Sequence, residues 1–407
     1  MPSNSHSHNN RTTATSVLVI GMLISGVCNT ILNKYQDMQC VENCQALDPA
    51  ERRYYEQPVW QTLNMFVGEA FVWTVYFYQK WQKRRSNMTT YSSLTEYPPS
   101  SVQQMDASAI IDDVVDHSAK DHPSNLPSLH GIKALLFWIP TLCDLTATTL
   151  MNVGLILTSA SVYQMLRGAV VIFTGIFSYL FLHRRLRLFE WFSLVCVVLG
   201  VAIVGLSSVL FPQTRPGVED GMSTDVDYLS FVGVLMVLGA QIFTATQFVV
   251  EEKILAHYKV TPLKAVGLEG SFGVISVVSA LPILHVLFSK QSSHFDMYRG
   301  FHDFFDHPGV WQTGIFISLS IAFFNWFGLS ITNNISATAR STIDTSRTLF
   351  IWMVSIYLGW EIFSWIQVIG FIIMVTGTFY FNGVLRWPFA QDELEEGETD
   401  RLLPSPE

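Results

Sequence analysis

A charged helix that has to sit in a membrane, and that occurs twice, constrains this chain more than any other feature. The run SASVYQMLRGAVVIFTGIFSYLFL, from Ser159 to Leu182, carries Gln164 and Arg167 in an otherwise apolar stretch. The run SATARSTIDTSRTLFIWMVSIYLGW, from Ser336 to Trp360, carries Arg340, Asp344 and Arg347. Charges at membrane depth are expensive, so they pair off or line something wet. The two runs are the fourth and ninth of ten apolar segments, which makes them cross in opposite directions. That is the arithmetic of two inverted five-helix repeats, so the expected fold is an all-α integral membrane protein of ten transmembrane helices.

The ten segments follow from apolar runs of about 20 residues. They lie near Thr15 to Lys34, Pro58 to Gln79, Ala134 to Ile156, Ala160 to Leu182 and Phe189 to Phe211. The others lie near Leu229 to Val250, Pro262 to Phe288, Val310 to Thr332, Ala337 to Trp360 and Phe363 to Leu385. A composition of 49% hydrophobic against 14% charged residues is more apolar surface than a soluble domain buries. No small-x-small cleavage site follows the first run, so it reads as a retained span and not a signal peptide.

Most of the 24 Lys and Arg residues, among them Lys83, Arg84, Arg85, Arg184, Arg185, Arg187 and Lys253, fall on one side if both termini are cytoplasmic. The expected division is a cytoplasmic N-terminus (1–14), a first repeat (15–211) with a disordered cytoplasmic loop (86–130), and a luminal linker (212–228). A second repeat (229–385) and an acidic cytoplasmic tail (386–407) complete it. The net charge of -9 gathers on the far side and in the tail, which excludes nucleic acid as a partner. The sequon Asn87-Met88-Thr89 then faces the cytoplasm and stays unmodified. Cys40 and Cys44, together in the first luminal loop, are a disulfide candidate, with two free thiols the alternative. No spacing suggests a metal site, a cofactor or catalytic chemistry, so the chain does not read as an enzyme.

Arg340, Asp344 and Arg347 are spaced to share one helix face. They form either an internal salt bridge or a cavity wall with one arginine left for a solute. Arg167 has no acid on its own helix; Asp144, four residues after the kink-prone Pro140, is a candidate partner. Glu69 in VGEA and Glu269 in GLEGSFG sit inside the second and seventh segments, beside Gly68 and Gly270, which permit close helix approach. Each is a carboxyl satisfied by neighbours or a cavity group that exchanges protons. Asn29, Gln247, Glu251 and Asn325 complete the candidate cavity residues. Placing Ser159-Ala160 on Ser336-Ala337 also superposes Phe173 on Phe350, Val198 on Val375 and Gly200 on Gly377, while Arg167 falls on Asp344.

The blocks TSASVYQMLRGAVVIFTG, MFVGEA, PTLCDLTATTLMNVGL, VVEEKIL, AVGLEG, IAFFNWFGLSIT and SATARSTIDTSRTLFIW closely resemble the solute carrier 35 family, F subfamily, of the drug/metabolite transporter superfamily. The resemblance runs from Val17 to Leu385. It implies two inverted five-helix repeats around a central cavity that opens alternately to each side, and lysosomal residence. It does not supply the solute, since other branches carry nucleotide sugars, amino acids, peptides or cationic drugs.

The expected function is secondary transport of a small organic solute, nucleotide-sugar-like or amino-acid-like, by alternating access, with exchange or proton coupling. The alternative is a non-transporting membrane scaffold acting through the 86–130 loop and the tail. Glu398 followed by Leu402 and Leu403 fits the acidic dileucine signal read by adaptor complexes, so a lysosomal or vacuolar membrane is the expected address, with Golgi or other endomembranes the alternative. The lipid bilayer is the other partner, and nothing in the sequence fixes an oligomeric state.

Overall fold

A computed structural model describes residues 4–45, 52–93, 127, 129, 131–158, 163, 165–182, 188–210, 223–288, 296–358 and 365–381. Apolar stretches of this length leave the backbone no hydrogen-bond partner but itself, and helices follow. In chain order they are α1 (Asn4–Asp37), α2 (Pro58–Ser93), α3 (Trp138–Leu157), α4 (Val170–Phe181) and α5 (Leu188–Leu210). Then come α6 (Ser223–His257), α7 (Pro262–Phe288), α8 (Met297–Phe305), α9 (Pro308–Asn334), α10 (Ala337–Tyr357) and α11 (Trp365–Phe381). The only strands among the described residues are β1 (Cys40–Glu42) and β2 (Arg53–Tyr54), an antiparallel pair between α1 and α2.

Each expected apolar segment contains a helix, and among the described residues five stretches are long and apolar enough to cross a membrane: Thr15–Asp37, Gly131–Leu155, Phe231–His257, Pro262–Leu287 and Pro308–Asn334. The chain is therefore an all-α membrane protein. Its outer surface is apolar, with Phe71, Phe77, Val195, Ile315 and Ile372 all exposed. A soluble protein does not present such a surface.

Three local features depart from expectation. α2 continues as a helix to Ser93, past residue 86 where a loop was expected, and residues 94–126 lie outside the described residues. Pro140 does not kink α3: a 3-10 stretch, Gly131–Phe137, gives way to α-helix at Trp138, so the proline lies in the first turn, where its missing N–H costs nothing. The polar stretch between the seventh and eighth segments folds into α8, whose N-cap Asp296 accepts from the backbone N–H groups of Tyr298 and Arg299.

α8 and the β1–β2 hairpin form a cap at one end of the bundle. Cys40 and Cys44 are joined by a disulfide, and Asn43 between them takes φ 54°, a left-handed conformation that Asn tolerates. Arg53 on β2 grips the Asp303 carboxylate on α8 with two bonds, Nη1 to Oδ2 at 2.8 Å and Nη2 to Oδ1 at 2.7 Å, while its Nε donates to Glu42 at 2.8 Å. Arg299 on α8 reaches the same Glu42 oxygen at 2.5 Å. Beneath this network Tyr55 and Phe304 bury their rings together.

Below the cap the helices pair closely: α1 with α9, α2 with α7, α3 with α6 and α5 with α11. α4 lies against α6 and α10, and α10 also against α1. Small residues set the approach, as helix packing in lipid requires. A Cβ on Gly200 of α5 would lie 2.6 Å from the Gly370 carbonyl oxygen of α11, and one on Gly377 of α11 would lie 2.8 Å from the Ser193 carbonyl oxygen of α5.

Candidate functional site

A cavity of about 480 Å³ lies inside the bundle, walled by α1, α2, α3, α6, α9, α10 and the turn that leads into α4. It reaches toward the capped end, where Asp37, Met38 and Gln61 contribute to its lining. At the opposite end α6 closes against the start of α10. There the backbone N–H of Ala337 donates to a Glu252 carboxylate oxygen at 2.7 Å, and Arg340 pairs with Glu251.

The α10 wall forms because Ser336 caps the helix, accepting from the Ala339 N–H at 3.1 Å, so that Arg340, Asp344 and Arg347 follow in register on the cavity side. The three charges do not simply neutralise one another, as an isolated helix would arrange them. Arg347 pairs with Asp344, Nη2 to Oδ1 at 2.6 Å, and its Nη1 donates to the Gly26 carbonyl on α1 at 3.1 Å. Arg340 turns away from Asp344 to α6, because the end of α6 passes the first turn of α10 and offers Glu251 there. Both arginines also lie over aromatic faces, Arg340 over Phe248 at 4.1 Å and Arg347 over Phe324 at 4.6 Å.

Asn29, Asp144, Arg167, Gln247 and Asn325 also line the cavity, whereas Glu69, Glu251 and Glu269 do not. Glu69 and Glu269 were candidates because they interrupt apolar segments, but the glycines beside them draw the helices too close for a wet space. A Cβ on Gly68 would strike the Ser318 backbone of α9, and one on Gly270 would strike the Ala70 backbone of α2. Glu69 is thus sealed in a helix seam, where it accepts from the Asn325 amide at 2.5 Å. Glu269 is buried in the same region with its Oε1 unpartnered. Asn325 spans the two environments, since its amide oxygen also faces Arg340 Nη2 at 3.5 Å.

The pairing of Arg167 with Asp144 does not form. Among the described residues Arg167 makes no ion pair; its guanidinium lies 5.9 Å from the Tyr163 ring centre, with the residue half-buried. Asp144 likewise makes no ion pair or hydrogen bond among them. Gln164 and the tail residues Glu398, Leu402 and Leu403 lie outside the described residues. Lining groups that the sequence reasoning passed over include Lys34, Asp37, Asn152 and Tyr163. Asn152 stands two helical turns beyond Asp144, and Tyr163 one turn before Arg167, so helical spacing from the recognised charges would have found them.

The nucleotide-sugar transporter family model matches residues 129–346, more than half of the chain. An uncharacterized protein of Schizosaccharomyces pombe is 35% identical over 92% of this chain and 99% of its own length. Solute carrier family 35 member F6 of Homo sapiens is 35% identical over 94% of each chain, and its Mus musculus counterpart 34% identical over the same shares. One crystal structure aligns with 91% of this chain and 96% of its own at 12% identity and a TM-score of 0.48. With a charged cavity inside a membrane bundle and relatives matched along nearly its whole length, the chain belongs to the solute carrier 35 family, F subfamily.

Proposed function

We propose that this membrane solute transporter works by alternating access as a secondary carrier of a small organic solute, with exchange or proton coupling, and that its ten spanning helices are two inverted five-helix repeats. The observation that carries the reading is the cavity itself. It is charged, lies at membrane depth, reaches one end of the bundle and is closed at the other by the contacts of Glu251 and Glu252 with α10.

The packing pattern supports the repeat. With α8 set aside, the first five spanning helices correspond to α6, α7, α9, α10 and α11. Under that exchange the contact of α3 with α6 becomes that of α9 with α1, and the contact of α4 with α6 becomes that of α10 with α1. The contacts of α2 with α7, α4 with α10 and α5 with α11 map onto themselves. Gly200 and Gly377, equivalent in the sequence superposition, take reciprocal places in the α5–α11 seam.

The orientation has cytoplasmic termini, with the cap luminal. A disulfide in the cap fits an oxidising lumen, and the basic residues of α2 beyond the membrane, Lys83 and Arg85, fit the cytoplasmic side. The acidic dileucine pattern at Glu398, Leu402 and Leu403 supports adaptor-directed delivery to the lysosomal or vacuolar membrane.

The decisive experiment is uptake by proteoliposomes from a deproteinised metabolite extract, analysed by mass spectrometry. At least one metabolite accumulates with the intact protein and not with Arg347→Gln. No accumulation under any imposed solute or proton gradient overturns the transporter reading.

A further inference from the structure

We infer that the cavity takes an elongated zwitterion, a molecule with an ammonium and a carboxylate held several bonds apart, as in an ω-amino acid or a short peptide. The inference rests on the transporter reading and assigns the chemical class of its solute.

The charges around the cavity divide into two groups along α10. Arg340 belongs to an acidic group, because its charge acts together with those of Asp144 on α3, Glu251 on α6, and the seam carboxyls Glu69 and Glu269. Acids outnumber the single guanidinium there, and that guanidinium is already bound to Glu251 and Asn325. Asp144 is the acid of this group that lines the cavity, and no described residue pairs with it. Arg347 belongs to the opposite group, where its charge acts with those of Asp344 and Arg167. Asp344 compensates one guanidinium by its ion pair with Arg347, which leaves Arg167 as a lining cation without a counter-ion among the described residues.

Deeper than Lys34 and Asp37, which line the cavity at its capped end, it therefore presents one acid and one base without an ion pair among the described residues. Arg340 and Arg347, which mark the two groups, are seven residues apart on one helix, about 10 Å at 1.5 Å per residue. Side chains reach inward from both places, so a solute spans somewhat less. An anion would satisfy Arg167 and meet repulsion at Asp144, and a cation would do the reverse. The charges of a short zwitterion such as glycine lie far closer together than the two arginines that mark the groups.

A matched six-carbon series tests this by thermal stabilisation of the purified full-length protein in lipid nanodiscs. 6-Aminohexanoate is expected to raise the melting midpoint, with an apparent Kd at least tenfold tighter than adipate or hexane-1,6-diamine, and glycine is expected to have no effect. Asp144→Asn should transfer the preference to adipate and Arg167→Gln to the diamine. Neither side chain holds an ion pair, so both variants should fold, as a single gel-filtration peak would verify. Equal or better stabilisation by adipate or the diamine overturns the inference, as does stabilisation by none of the probes. Uptake of radiolabelled 6-aminohexanoate into proteoliposomes separates the two readings. Selective stabilisation without uptake keeps the zwitterion site and overturns the carrier, whereas preferential uptake of adipate or the diamine keeps the carrier and overturns the zwitterion.

Discussion

Arg340 and Glu251 form an ion pair across α10 and α6 in which the two side chains are 2% and 0% exposed. A buried pair contributes little net stability over an apolar pair of the same shape, but loss of one partner strands the other charge in a medium that cannot solvate it. Arg340→Met or Glu251→Leu alone should cost about 3–5 kcal/mol. The double variant should recover much of that loss, which a double-mutant cycle of unfolding midpoints in detergent would read. Equal damage in the single and double variants would mean that the pair is not the unit of stability.

Gly200 lies where α5 touches the α11 backbone, with the Gly370 oxygen and the Met374 nitrogen both 2.6 Å from the position of a Cβ. Backbone cannot move aside as a flexible side chain does. Gly200→Leu is expected to separate the two helices and destabilise the protein by about 1–3 kcal/mol or more. The same change at Gly239, where a Cβ meets nothing within 4 Å, should be tolerated. Parallel melting curves of the two variants check the contrast.

Gly26 on α1 is packed against the Arg347 side chain and accepts its guanidinium through the backbone carbonyl. A leucine there would occupy the space of the arginine's own carbons and push the charged end off the cavity wall. Gly26→Leu should abolish solute uptake per molecule of folded protein, as quantified by gel filtration before reconstitution. Unchanged uptake would show that the placement of Arg347 does not matter.

The cap has its own pH response. Hydrogen bonds from Arg53 and Arg299 hold the exposed Glu42 carboxyl below its ordinary 4.5. Burial pushes Asp303 up, but the bonds from Arg53 and Gln57 outweigh it and bring that carboxyl below its ordinary 3.8. Groups held low in this way contribute their full stability above the unfolded values and lose it as pH falls through the folded ones. Amide-exchange protection of β2 and α8 should stay level from pH 7 to about 5 and decline only below about 4. Asp303→Asn should weaken the cap and flatten that decline. Loss of protection already between pH 7 and 5 would contradict the assignment.

The wet part of the molecule was legible because charge in an apolar run has few uses. Arg167 and the α10 charges were marked on that ground, with Asp144 as a partner for Arg167, and all of them line the cavity, as do the amides Asn29 and Asn325. The same rule did not choose between the two readings of Glu69 and Glu269, since hydropathy does not separate a carboxyl facing water from one sealed between helices. What seals them is long-range: the backbone of Ser318 against Gly68, and that of Ala70 against Gly270. The fold was readable in its helices and less so in its cap. α8 hides in a short, mixed stretch whose aromatic residues find partners such as Trp60, far away in sequence. The grip of Arg53 on Asp303 joins residues that no spacing rule connects.

The length of α2 has a mechanical consequence. At 1.5 Å per residue the helix from Pro58 to Ser93 is roughly 50 Å long, against a hydrocarbon core of about 30 Å. It starts at the capped end, so under the proposed ten-span arrangement an excess of roughly 20 Å would stand clear of the opposite membrane face as a stalk. Under that arrangement the segment after Ser93 is attached at the far end of the helix and not at the lipid surface. A protein that grips that segment would work at a distance from the bilayer, with α2 as its lever on the cavity wall.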